Sequence, residues 1–138
     1  MSNQYTDFIQ RGYTVKETAP VYFSADMDKT MTWFEKTLGW YCSVDERDAD
    51  GNGMYGCVFD IPPEFGRLNI APFRGIHILG GEPKGGKVSL IHVEGIGALH
   101  ERVTKSGWTE ITAVNTMPWA RTCCVTTPDG YELEFFEG

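Results

Sequence analysis

Two stretches of the chain carry the same alternation of apolar and polar positions. Residues 19–25 form a β-rich apolar run centred on Val21-Tyr22-Phe23. An acidic turn follows at Asp26 and Asp28, then Met27, Met31, Phe34 and Leu38 at spacings of four, three and four. That period predicts one buried stripe along a helix. Asp26 or Asp28 offers an oxygen to the first free N–H groups of that helix, and Gly39 suits the left-handed residue that ends it. Residues 88–107 repeat the plan: an apolar run Val88–Val93, a turn Glu94-Gly95, a helix over 96–106 with Ile96, Leu99 and Val103 on one face, then Gly107. An internal repeat constrains a fold more than any single residue does.

Each copy continues into strand-like sequence. Trp40–Arg47 and Met54–Ile61 flank Asp48-Ala49-Asp50-Gly51-Asn52-Gly53, which has the turn chemistry of a hairpin. Pro62-Pro63 stops the second of these strands. Residues 62–73 read as an insertion, Arg74–Leu79 as a fourth strand, and the glycine-rich 80–86 as the linker between copies. In the second copy the strands are Trp108–Val114, Ala120–Thr126 and Tyr131–Glu137, the last two joined by the turn Thr127-Pro128-Asp129-Gly130. The expected fold class is α+β: two βαβββ modules spanning about 19–80 and 87–138 make one domain, 19–138, behind a polar N-terminal extension, 1–18.

Composition narrows the function classes. The chain of 138 residues is long enough to bury a real core. Its 12 Lys and Arg against 19 Asp and Glu give a net charge of −7, which argues against nucleic acid as a partner. No apolar run approaches the length of a membrane span, and residues 1–16 lack the apolar centre of a secretory signal, so a cytoplasmic location is expected. Cys42, Cys57, Cys123 and Cys124 fall in predicted strands without metal-binding spacing and read as reduced, small apolar residues. Cys123 and Cys124 are expected on opposite sheet faces.

Asp26…Phe34…Leu38-Gly39-Trp40, Pro118-Trp119-Ala120-Arg121 and Pro128-Asp129-Gly130-Tyr131-Glu132-Leu133-Glu134 together resemble the vicinal oxygen chelate superfamily, which includes glyoxalase I, extradiol dioxygenases, and the bleomycin and fosfomycin resistance proteins. The Pro-Trp-x-Arg element is most similar to the resistance proteins, where Gly is usual at the position held here by Ala120. The resemblance implies curved sheets around a cavity and a homodimer whose cavities are often completed between chains. It also implies, in the enzymes, a divalent metal held by the first and fourth strands of each module. The first-strand ligand positions fall on Ala19 and Val88, which offer no lone pairs. The fourth-strand positions fall on His77 and Glu134. Two ligands are fewer than a catalytic metal needs, so no cofactor is expected; His77 and Glu134 remain the positions open to a metal, with His92 as a third donor.

Individual residues then carry the functional expectation. His92 shares the parity of Val88, and with His77 it is a candidate proton carrier. Glu134 is a candidate base, because a cavity-facing carboxylate is costly unless it is paired or solvated. Trp119 offers a stacking wall to a flat ligand, with Phe23, Tyr55 and Arg121 as further ligand contacts. The leading expectation is a metal-free protein that sequesters an aromatic or cationic small molecule. The alternatives are a glyoxalase-like lyase or isomerase using Glu134, His77 and His92, and a ligand-sensing regulatory module.

Overall fold

The computed structural model describes Thr6, residues 9–60 and residues 74–138. The expected insertion at 62–73 and its Pro62-Pro63 stop lie outside the described residues. The first module contains β1 (Val21–Ser24), a helix α1 (Met27–Trp33) that runs into a π-helical turn (Phe34–Leu38), then β2 (Tyr41–Arg47), β3 (Gly53–Phe59) and β4 (Gly75–Gly80). The second contains β5 (Gly86–His92), α2 (Ile96–Lys105), β6 (Asn115–Thr116), β7 (Arg121–Thr126) and β8 (Tyr131–Glu137). The sheets have matching orders, β1-β4-β3-β2 and β5-β8-β7-β6, with the first strand parallel to the fourth in each. The α+β fold of two βαβββ repeats is therefore the one the repeated pattern predicts.

Local chemistry explains the helix ends. The Asp26 carboxylate accepts from the Lys29 N–H and caps α1. Asp28 instead pairs with Arg47, which holds its carboxyl below the usual range. Gly39 is left-handed at φ 74° and Gly107 at φ 89°, in equivalent places. The expected stripe holds for Met27, Met31 and Phe34, all buried. At the π-helical turn the register slips, so Thr37 is buried and Leu38 only half-buried.

Two strand expectations are corrected. The first strand is shorter than 19–25. The expected strand Trp108–Val114 does not form: Ile111 makes a single bridge to Val125, and regular pairing is limited to β6. Side chains take over part of the ladder there. The Thr112 hydroxyl accepts from the Cys124 N–H, and the Trp108 indole donates to the Thr126 carbonyl.

The modules share one core. Tyr22, Val58, Ile76 and Ile78 from the first sheet and Cys123, Val125, Leu133 and Phe135 from the second pack in one cluster with residues of both helices. Trp33 meets Trp108 edge-on at 5.4 Å. Polar contacts cross the same boundary. The Thr30 hydroxyl donates to Asp129 of the Pro-Asp-Gly turn at 2.6 Å and also contacts the Ser24 hydroxyl. Tyr131 stacks on Tyr22 at 4.1 Å, and its hydroxyl accepts from the Phe23 and Lys84 N–H groups. The Tyr22 hydroxyl is shut in beside Thr127 and Asp129, and burial pushes its pKa far up. Replacing Tyr131 by Phe leaves two backbone donors without an acceptor, so Tyr131→Phe should lower the unfolding free energy by about 1–3 kcal/mol with unchanged circular dichroism. A urea-unfolding difference below roughly 0.5 kcal/mol would mean that these donors find water instead.

Candidate functional site

Strand parity divides each sheet into a core face and an open face. In the first sheet Tyr22, Ile76 and Ile78 go to the core, so Phe23, His77, Cys57 and Tyr55 belong to the open face. In the second, Leu133 and Phe135 go to the core, so Leu90, His92, Cys124, Glu134 and Phe136 belong to the open face. Cys123 and Cys124 accordingly separate to opposite faces; all four thiols are free, and burial pushes each of them up.

The pairing registers place the two open faces in correspondence. His77 lies between Val21 of β1 and Cys57 of β3, and Glu134 lies between Leu90 of β5 and Cys124 of β7. Val21 and Leu90 hold the same place relative to the helices that begin at Met27 and Ile96, so their partners His77 and Glu134 occupy corresponding positions. By the same registers Phe23 corresponds to His92, and Leu79 to Phe136.

The residues of the two faces have separate partners. On the first, the Tyr55 hydroxyl and His77 Nδ1 are 2.7 Å apart with their rings nearly parallel. Burial, more than the neighbouring Cys57, Asp45 and Glu17, pushes the Tyr55 pKa up. Phe23 lies under the Lys84 ammonium, 5.6 Å from its ring centre. On the second face, Lys87 donates to Glu134 at 2.9 Å, and this bond holds the ammonium above its usual pKa. His92 stacks on Phe136 with ring centres 4.5 Å apart and planes within 5°, and its Nε2 lies 3.2 Å from the Gly138 carbonyl. Gly138 in turn packs against the backbone of Trp119 and Ala120. Trp119, 71% exposed, thus stands at the same end of the sheet as His92.

His77, His92 and Glu134 each have a partner of their own in this chain. Tyr55 engages His77, Lys87 engages Glu134, and among the described residues no three His, Cys, Asp or Glu side chains gather as a cation would require. Arg121 turns away from the open face. It pairs with Glu137, whose other carboxylate oxygen accepts from the Gly95 N–H at the start of α2. Gly95 has no side chain to cap that helix, and Glu137 supplies the missing acceptor from the neighbouring strand. Phe136, Leu90 and Lys87 were not singled out from the sequence. Phe136 has the parity of Glu134, and Leu90 that of His92, so period-two counting carried their signal.

A bleomycin resistance protein domain matches residues 19–81, the first module. A glyoxalase-related enzyme from Clostridium phytofermentans shares 50% identity with this chain at a TM-score of 0.86, covering 94% of this chain and 99% of that one. A bleomycin-binding protein from Streptomyces verticillus, complexed with copper(II)-bleomycin, shares 21% identity at a TM-score of 0.63, over 91% of this chain and 99% of that one. A member of the glyoxalase/bleomycin resistance protein/dioxygenase superfamily from Sphaerobacter thermophilus shares 18% identity at a TM-score of 0.68, over 91% and 98% of the two chains. The latter two share the fold. A comparison with curated proteins finds no match.

The Glu137 bridge has a pH signature. The Gly95 N–H, and after it Arg121, hold the Glu137 carboxyl below its ordinary pKa. A depressed carboxyl contributes stability that is complete above its unfolded pKa and is lost as pH falls through the folded one. Glu137→Gln should therefore flatten the acid limb of the stability curve below about pH 4.5. Urea midpoints across the acid range test this; parallel limbs for variant and wild type would remove Glu137 from the account.

Proposed function

This chain belongs to the vicinal oxygen chelate superfamily, which includes glyoxalases, bleomycin resistance proteins and dioxygenases, and we propose that within it the protein binds a small aromatic or cationic molecule and sequesters it. One observation carries the reading: the open face of the second sheet presents a bare, flat platform beside a carboxylate. His92 is stacked on Phe136, Leu90 is 68% exposed, Trp119 stands at the edge, and Glu134 lies two pairing positions from Phe136 along the strand. Exposed rings at one end of a sheet favour stacking on a planar ligand, and a carboxylate nearby favours positive charge on it. A second copy of the chain is the proposed cover for these faces. Leu90 and its counterpart Val21, 52% exposed, are aliphatic side chains at equivalent positions that a partner would bury. No helix among the described residues is long and apolar enough to cross a membrane.

The enzymatic alternative rests on the Tyr55–His77 pair. A phenol and an imidazole 2.7 Å apart are a competent proton-transfer couple. In that reading Glu134 is the base at a carbon next to a carbonyl, with His92 beside it, and the reaction is a glyoxalase-like lyase or isomerase step.

Trp119→Ala tests the binding reading. Loss of a stacking ring costs roughly 1–3 kcal/mol by analogy with base–aromatic stacking, which weakens binding by about one to two decades. The measurement is a thermal-shift screen of planar cations and of bleomycin, followed by calorimetric titration of any hit. Hits bound equally by wild type and Trp119→Ala would sink the proposed platform.

Metal content separates the two readings. Ala19 and Val88 supply no ligands, and Glu134 is held by Lys87. The gently purified protein should contain no stoichiometric zinc, nickel, iron or manganese by elemental analysis. A near-equimolar metal that disappears in His77→Ala or Glu134→Ala would favour the enzyme over sequestration.

A further inference from the structure

The second half of β5 also borders a recess between the modules, and Leu90 and His92 of the platform are among its lining residues. Ser89 and Ile91 of β5, Leu38 and Trp40 beyond α1, and Leu99 and Arg102 of α2 line a cavity of about 710 Å³. Two of these residues have unmet hydrogen-bonding capacity. The Ser89 hydroxyl is closed off from solvent and has no hydrogen-bond partner, whereas the buried Ser24 hydroxyl is paired with Thr30. A buried polar atom without a partner is costly, and a ligand atom that reached it would remove that cost.

Arg102 is the second. Its guanidinium packs against Gly39 so closely that a Cβ there would lie 2.8 Å from Cζ. Its contacts to the Glu35 and Lys36 carbonyls are long, 3.5 and 3.4 Å. The ion pairs among the described residues occupy Arg47, Lys87, Lys105 and Arg121 and leave Arg102 without a carboxylate. In a chain with an excess of acidic residues, an exposed guanidinium lodged against Gly39 with no carboxylate partner has the chemistry of an anion anchor. Arg74, Asp60 and Glu94 also line the recess and leave it without a large net field. Recognition therefore falls to the fork geometry of Arg102.

We infer that this cavity is a binding site for an aryl carboxylate or a comparable organic anion. The carboxylate occupies the Arg102 fork. The apolar body lies among Leu38, Trp40, Ile91 and Leu99, and a polar substituent reaches the Ser89 hydroxyl. The recess shares Leu90 and His92 with the platform, whereas Trp119, Glu134 and Phe136 lie outside its lining, so variants at Arg102 and at Trp119 tell the two sites apart.

The test is calorimetric titration of the full chain with 1-naphthoate and with its neutral analogue 1-naphthalenemethanol. The expected result is saturable one-to-one binding of naphthoate, weaker by about tenfold or more for the alcohol and for Arg102→Gln. Ser89→Leu, which fills the recess, should abolish it. Because Ser89→Leu acts in the interior, amide chemical shifts of the wild type provide a second reading: naphthoate should shift Leu99, Arg102 and Ser89. Absence of saturable binding overturns the assignment, as does equal affinity in Arg102→Gln. Binding that survives Arg102→Gln but disappears in Trp119→Ala, with shifts centred on Glu134 and Phe136, would place the anion on the open face and overturn it equally.

Discussion

The docking of the Pro-Asp-Gly turn of the second module onto the first is the contact on which the rest of the molecule depends. Asp129 takes the Thr30 hydroxyl, and Tyr131 stacks on Tyr22 while accepting from the Phe23 and Lys84 N–H groups. A four-stranded sheet with one helix is too small to bury its own face, so each module needs the other's apolar side. Buried polar atoms at that boundary permit only one alignment of the two, because any slip would strand donors in the core. Once the core faces are joined in this way, parity leaves Phe23, His77, His92 and Glu134 on the faces turned from the core.

Duplication supplied two equivalent frames that have since diverged in chemistry. The fourth-strand position holds His77 in one and Glu134 in the other, each beside a cysteine of the third strand. Tyr55 steadies the first and Lys87 the second. The first-strand position that would complete a metal site holds Ala19 or Val88. The two frames share a strand order, while the polar groups at their equivalent positions have different partners within the chain.

The same divergence appears at the helix starts. Asp26 caps α1 from its own turn, the local solution. Gly95, at the corresponding place in α2, has no side chain, and Glu137 reaches across from β8 while Arg121 holds it. Arg121, read as a ligand contact from its place in the Pro-Trp-Ala-Arg motif, is thus engaged in anchoring a helix.

Much of the architecture was legible in the chain alone, because it rests on short-range periodicity. The helical spacing of Met27, Met31 and Phe34, the cap at Asp26, the left-handed Gly39 and Gly107, the last strand Tyr131–Glu137 and the correspondence of His77 with Glu134 all follow from counting along the sequence. Tertiary structure decided what counting cannot reach. A π-helical turn exchanged Thr37 for Leu38 in the core, since a register slip depends on what the helix packs against. Trp108–Val114 keeps only an isolated bridge to β7, with the Thr112 and Trp108 side chains adding bonds of their own. The partners of Glu134, His77 and Arg121, and the recess that gathers Ser89 with Arg102, join residues far apart in the chain. Parity specifies the face on which a side chain emerges, but only packing between modules specifies what it meets there.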